Sequence, residues 1–303
     1  MFSPHMRILL VYYTGTYNTR FLTEKVKERL EKNGHFVSAL EVNCGTEIPV
    51  LTDVDLLGLG YPIYGFNVPH PFLKLIKKLN IPRGLSYFVY KDSGETYGMN
   101  TVSSRRIHRF MRERGSNLMG EYHFVMPYNI HFEFPLVFIK EAIRENKKYL
   151  EVMVHNLENG IVRKEKGNLL YTIGAFFVGI QAIGGPVNSF FYRVNKDKCT
   201  QCGLCIARCP EKNISLKKGK IHFGHKCDMC MRCSFDCPTK AIHIGFLERW
   251  RVHRYYHLEK LWNEDEGEPY IREDTKGFYS CFISYFHKVG EAYFEIMKKD
   301  ESQ

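Results

Sequence analysis

Eight cysteines fall in two runs that repeat one another at an offset of 28 residues: Cys199-Thr-Gln-Cys202-Gly-Leu-Cys205-Ile-Ala-Arg-Cys209-Pro210 and Cys227-Asp-Met-Cys230-Met-Arg-Cys233-Ser-Phe-Asp-Cys237-Pro238. Beyond each proline the match continues, Lys212 over Lys240 and Ile214 over Ile242. Three cysteines, each two residues from the next, can wrap one iron-sulfur cubane. The proline after the fourth turns the chain away, so that this thiolate reaches the other cluster. The rule predicts one 4Fe-4S cluster on Cys199, Cys202, Cys205 and Cys237, and a second on Cys227, Cys230, Cys233 and Cys209. Ile206, Ile214, Ile221 and Ile242 would line them and limit solvent access. The alternatives are two zinc sites or a disulfide knot, but zinc usually takes separated Cys pairs or a Cys/His mixture.

The rest of the chain is globular in composition: 303 residues, 44% hydrophobic and 25% charged, which excludes disordered, collagen-like and coiled-coil chains. At about 150 residues per domain, roughly two domains are expected. The start of the chain has no signal-peptide plan, since the apolar run Ile8-Leu9-Leu10-Val11 leads into polar loop residues. A cytoplasmic location is therefore expected, where thiols stay reduced and clustered cysteines bind metal. Cys44 and Cys281 stand apart and read as partly buried free thiols. The formal charge is +10, and two oxidised clusters with their thiolates leave roughly +6. That surplus suits acidic redox proteins at least as well as DNA, and no nucleic-acid motif accompanies it.

Over residues 6–160 apolar runs alternate with helical patterns. Strands are expected at 7–13, 36–41, 54–61, 85–90 and 122–126. Helices are expected around Leu22, Val26 and Leu30, around Phe72, Leu75, Ile76 and Leu79, and around Ile107, Phe110 and Met111. Five strands alternating with helices predict an α/β, doubly wound parallel sheet whose ligand lies beyond the carboxyl ends of the strands. The loop after the first strand reads Thr14-Gly15-Thr16-Tyr17-Asn18-Thr19. Hydroxyls, an amide and free N–H groups at a helix start suit a terminal phosphate. Neither a Walker A motif nor G-x-G-x-x-G follows this strand, so a monophosphate ester is favoured over a triphosphate or a dinucleotide. Loops Tyr61-Pro62-Ile63-Tyr64-Gly65-Phe66-Asn67 and Lys91-Asp92-Ser93-Gly94-Glu95-Thr96-Tyr97-Gly98 should reach the same edge, where aromatic residues can stack on a flat ring. Pro127-Tyr128-Asn129 would border it.

Between Lys166 and Arg193 no residue is charged, and Leu169, Leu170, Phe176, Phe177, Ile180, Ile183, Phe190 and Phe191 make the stretch apolar. Five glycines and the Gly184-Gly185-Pro186 break favour a buried helix pair cementing the domains over membrane contact. Arg105, Arg106, Arg109, Arg112 and Arg114 form a basic helix that reads as a solvated face, or as a dock for an acidic protein. The aromatic tail beyond residue 246 shows helical spacing at Phe282, Ile283, Phe286 and Val289. His253 and His257 could share a helix face, but a metal site there has little support.

The cysteine runs resemble the two-cluster bacterial ferredoxins over residues 193–244. The first loop resembles the phosphate loop of flavodoxins, with Tyr17 where that family has Gly. Together they resemble the flavodoxin/ferredoxin fusion proteins of anaerobic bacteria and archaea. The resemblance implies a flavodoxin-like FMN domain over 1–160, an apolar interdomain segment over 161–192, a small α+β two-cluster ferredoxin domain over 193–245 and a helical C-terminal extension over 246–303. It implies FMN phosphate on Thr14, Thr16, Tyr17, Asn18 and Thr19, and the isoalloxazine beside Pro62, Ile63, Tyr64, Gly65, Asp92, Ser93, Gly94 and Tyr97. The implied function is transfer of low-potential electrons between a ferredoxin-type donor and an acceptor oxidoreductase. No catalytic residue stands out. A flavin-dependent reductase of a small molecule such as a quinone, or a redox sensor, are the alternatives.

Overall fold

The computed structural model describes residues 5–179, 181–252, 254–264 and 267–300. Strands β1 (Arg7–Tyr12), β2 (Phe36–Glu41), β3 (Leu56–Pro62), β4 (Ser86–Ser93) and β5 (Asn117–Val125) form one sheet in the order β2-β1-β3-β4-β5, every pair parallel. This is the flavodoxin-like order, with its switch point between β1 and β3. Continuous apolar runs follow from burial on both faces. Along β1, Ile8, Leu10 and Tyr12 join one core with α1 (Asn18–Lys32), whereas Leu9 and Val11 join another with α2 (His70–Ile76) and α3 (Arg105–Glu113). Gly58 has to be glycine here: a Cβ would sit 2.5 Å from Leu10 and 2.7 Å from Phe88.

The first three strands begin within two residues of the expected positions. β5 starts five residues earlier than expected, and β4 runs on through Ser93, so Asp92 and Ser93 are strand residues and not loop residues. The longest helix, α4 (Leu136–Glu158), was not among the periodic segments read from sequence; it closes the β1 face together with α10 (Ile283–Asp300).

The uncharged stretch folds as the helix pair α5 (Leu169–Val178) and α6 (Gln181–Ser189), with Pro186 inside the second. The expected burial fails, however. Leu169, Leu170, Phe176 and Phe177 are between 63% and 77% exposed. The opposite side of α5 is the packed one: Ala175 is fully buried, its carbonyl accepts a 2.9 Å bond from Asn67 Nδ2, and Tyr171 fills the space beside Gly98. Upstream, Glu165 meets the wholly buried Lys91 at 2.8 Å, which ties this segment to the sheet. Ile180 and His253 lie outside the described residues.

The cysteine-rich part is small. β6 (Tyr192–Val194) pairs antiparallel with β9 (Ile242–Ile244), β7 (Ile214–Lys217) pairs with β8 (Lys220–Phe223), and α7 (Leu204–Ala207) and α8 (Arg232–Phe235) are single turns. Its core holds Tyr192, Met231, Ile242 and Ile244 against Cys205, Cys227, Cys233 and Cys237. Beyond it, α9 (Leu258–Asn263), a 3₁₀ turn (Gly277–Phe282) and α10 pack aromatic residues on α4.

Candidate functional site

The sequence repeat is also a backbone repeat. Positive φ recurs at the offset of the cysteine runs, at Gln201 (54°) and Met229 (50°), Gly203 (74°) and Met231 (63°), and Lys212 (48°) and Lys240 (51°). Five of these six are neither Gly, Asn nor Asp, and each such residue costs about 1–2 kcal/mol in this region. A local strain repeated in register is one that the surrounding structure imposes, and here it curls each run around its sulfurs. Asn213 N–H donates to Cys209 Sγ at 3.3 Å, and Ala241 N–H donates to Cys237 Sγ at 3.2 Å, again at equivalent places. Such bonds stabilise negative charge on sulfur.

The crossed cysteines share neighbourhoods, although among the described residues no three His, Cys, Asp or Glu side chains are grouped closely enough to hold a single metal ion. Cys199, Cys202, Cys205 and Cys237 line one small cavity of about 20 Å³ with Ile221 and Ile242. In the other group burial pushes the Cys227 thiol up to about 11 and the Cys230 thiol to about 12, with the neighbouring Cys209 adding to the rise in both. Burial also raises Cys233 well above its ordinary value, followed by Cys230, Cys227 and Cys209. Four partly buried thiols that oppose one another's ionisation stay protonated in the bare protein. Cationic iron in their midst reverses that penalty.

This second group is docked on the loop after β1. Arg232, between Cys230 and Cys233, is 6% exposed and reaches out of its own segment. Its Nε donates to Gly15 O at 2.8 Å, and its Nη2 donates to Thr14 O at 2.6 Å and to Glu41 Oε1 at 3.0 Å. Its guanidinium carbon stands 5.1 Å from the centre of the Tyr17 ring, whose hydroxyl donates to Asp236 at 2.5 Å. A Cβ on Gly15 would fall 2.8 Å from the Cys230 carbonyl, so glycine is what lets the two backbones meet.

Thr14 and Tyr64 each bury a hydroxyl without a partner beside this contact, and Tyr64 also closes on Gly15. Tyr17 takes a positive φ (73°), as the glycine of the flavodoxin loop could without strain, and precedes α1. Thr16, Tyr17 and Asn18 line a cleft of about 380 Å³ with Pro127, Tyr128 and Arg254, so the loop after β5 does border this site. Asn18 Nδ2 donates to Pro127 O at 2.7 Å, and Thr19 Oγ1 donates to Asp92 at 2.5 Å. Burial pushes the Asp92 carboxyl up to about 7, against the pull of that bond. Pro62 ends β3, Ile63 N–H donates to Asp92 O at 2.8 Å, and Gly65 has a positive φ of 51°.

The last ring-side candidates lie further off. Ser93 bonds Glu95 O at 2.6 Å and the His123 ring at 2.8 Å, Tyr128 covers Gly94, and Tyr97 meets Phe278 edge-on. Here α5 and the C-terminal segment cover the loops, the latter through Thr96 Oγ1 donating to Cys281 O at 2.6 Å. The phosphate end is the better fit for FMN: an unpartnered buried hydroxyl, a second hydroxyl on a cleft, and the start of α1 together suit a phosphate monoester. Sequence reasoning missed Arg232 and Asp236, because an arginine beside a cysteine carries no sign of a partner more than two hundred residues away.

Comparison with known proteins adds three findings. The profile of the 4Fe-4S binding domain matches residues 192–215. Pyruvate synthase subunit PorD of Methanothermobacter marburgensis is 43% identical over 58 residues, which are 19% of this chain and 69% of that protein. Among solved structures, a short-chain flavodoxin associated with a bacterial microcompartment covers 52% of this chain and 99% of its own, at 18% identity and a TM-score of 0.40. A flavodoxin of Streptococcus pneumoniae TIGR4 covers 50% and 98%, at 18% identity and a TM-score of 0.39.

Proposed function

Because this chain belongs to the proteins that join a flavodoxin-like domain to a 4Fe-4S ferredoxin domain, we propose that it is an iron-sulfur flavoprotein linking a ferredoxin-type donor to an acceptor oxidoreductase. Cys199, Cys202, Cys205 and Cys237 hold one cluster; Cys227, Cys230, Cys233 and Cys209 hold the second. Thr14, Thr16, Asn18 and Thr19 hold the phosphate of FMN, and the loops bearing Tyr64 and Gly94 border its ring. When bound, FMN supplies exchange between one-electron and two-electron chemistry, which a cluster alone lacks.

The observation that carries the reading is the seating of the second cysteine group on the phosphate loop, where the Cys230 backbone meets Gly15 and Arg232 clamps Thr14 and Gly15. An arginine fixed beside a cluster favours the more negative, reduced cluster. Arg232 is 6% exposed, and the low local dielectric of a buried position strengthens that effect. The likeness to a pyruvate synthase subunit supports an enzyme of that class at one end of the relay.

Anaerobic reconstitution with iron, sulfide and FMN tests this directly. About eight irons and one FMN per chain are expected, with the flavin bleaching once a low-potential ferredoxin reduces the clusters in stopped flow. Fewer than about six irons, or reduced clusters that leave bound flavin yellow, would overturn it.

A further inference from the structure

The exposed side of α5 has no role in the relay, and it is unusual. At 3.6 residues per turn, Leu169, Leu170, Ile173, Phe176 and Phe177 fall on one arc of roughly 120°. They are 72%, 77%, 45%, 67% and 63% exposed, and no polar residue shares the arc. The reverse of the helix is anchored through Tyr171 and Ala175, so this face is held outward by the fold. Its approach carries Lys164 and Lys166, both exposed, while the one carboxylate between them, Glu165, turns inward to Lys91.

We propose that this face of α5 seats the protein on an anionic membrane surface. A ten-residue helix spans about 15 Å, half of a bilayer's hydrocarbon core, so it lies in the interface and does not cross. Among the described residues no helix is long and apolar enough to cross a membrane. Lysines stripped of their carboxylate match anionic headgroups. They oppose pairing with a second copy of a chain whose formal charge is +10. A transient protein interface is polar over about two fifths of its area, which this arc is not.

Flotation of the full chain with vesicles tests the proposal, independently of the electron-transfer reading. Binding to phosphatidylcholine vesicles containing one quarter phosphatidylglycerol is expected, with weaker binding to pure phosphatidylcholine. The double variant Phe176→Ser/Phe177→Ser should bind about tenfold or more weakly, with an unchanged circular dichroism spectrum because both rings are exposed. Phe294→Ser, another exposed aromatic away from the arc, should bind as the parent does. Lys164→Glu/Lys166→Glu should lose about tenfold on the anionic vesicles alone. Absence of flotation, or a double Phe variant that floats like the parent, overturns the proposal. So does a monomer–dimer equilibrium, or ferredoxin binding, that the Phe variant abolishes while vesicles go unbound; those results assign the face to a second copy or to a protein partner.

Discussion

One buried side chain, Arg232, sets the energetics of the contact between the second cysteine run and the loop after β1. Arg232 serves two carbonyls and a carboxylate at once, so Arg232→Met leaves three acceptors without their donor. A loss of about 2–4 kcal/mol is expected in urea unfolding, and Arg232→Lys, lacking the planar fork, should restore only part of it. Asp92 gives a pH signature. Burial raises its carboxyl from 3.8 to about 7, so its ionisation opposes folding. The stability present below pH 4 is lost as pH rises through 7, at up to about 1.4 kcal/mol per pH unit. Asp92→Asn should remove that slope, so the variant gains on the parent between pH 4 and 7 and matches it below; parallel urea midpoints across this window would refute the assignment. Glu121 works in the other direction. Burial opposes its ionisation, but Lys91 and His108 outweigh it and hold the carboxyl at about 2. Its stabilisation is present above the ordinary carboxylate range and is lost as pH falls through 2.

At the scale of elements, the crossed cysteine grouping predicts how variants combine. Cys205→Ser and Cys237→Ser should each remove about four irons, and the pair together should remove no more, because both belong to one cavity. Cys205→Ser with Cys209→Ser should remove iron from both sites, though the two residues lie in one run. Iron analysis after reconstitution distinguishes this from one cluster per run. The elements also show what a sequence displays. β1 was legible because an apolar run facing two cores leaves little choice of period. The start of β5 was not, since Asn117-Leu-Met-Gly-Glu121 looks like a loop until Lys91 meets Glu121 at 2.6 Å inside the protein. A buried ion pair joins two residues that are each unremarkable alone. The flatness of the α5 hydrophobic pattern misled in the opposite way: a helix apolar all round reads as buried, but only one side of it found a neighbour.

For the molecule as a whole, the cysteine-rich part should depend on 4Fe-4S binding more than the sheet does. Its strands are three or four residues long and its helices four, too little to fold on apolar burial alone. Iron removal by a chelator should therefore raise hydrogen exchange across residues 192–244 and in the Thr14–Tyr17 loop that they cover, while β1, β3 and β4 keep their protection. Uniform protection before and after iron removal would show that the docking survives without metal.

Cysteine spacing alone predicted which thiols would group together, because three cysteines within seven residues leave the chain few other geometries. The apolar runs likewise determined a parallel sheet with a ligand-bearing edge. Only the tertiary structure decided that the second cysteine group sits on that edge, and that α5 turns its leucines and phenylalanines outward. Both depend on contacts between distant residues, Arg232 with Thr14 and Asn67 with Ala175. No local period or spacing in a sequence records which remote partner a side chain will meet.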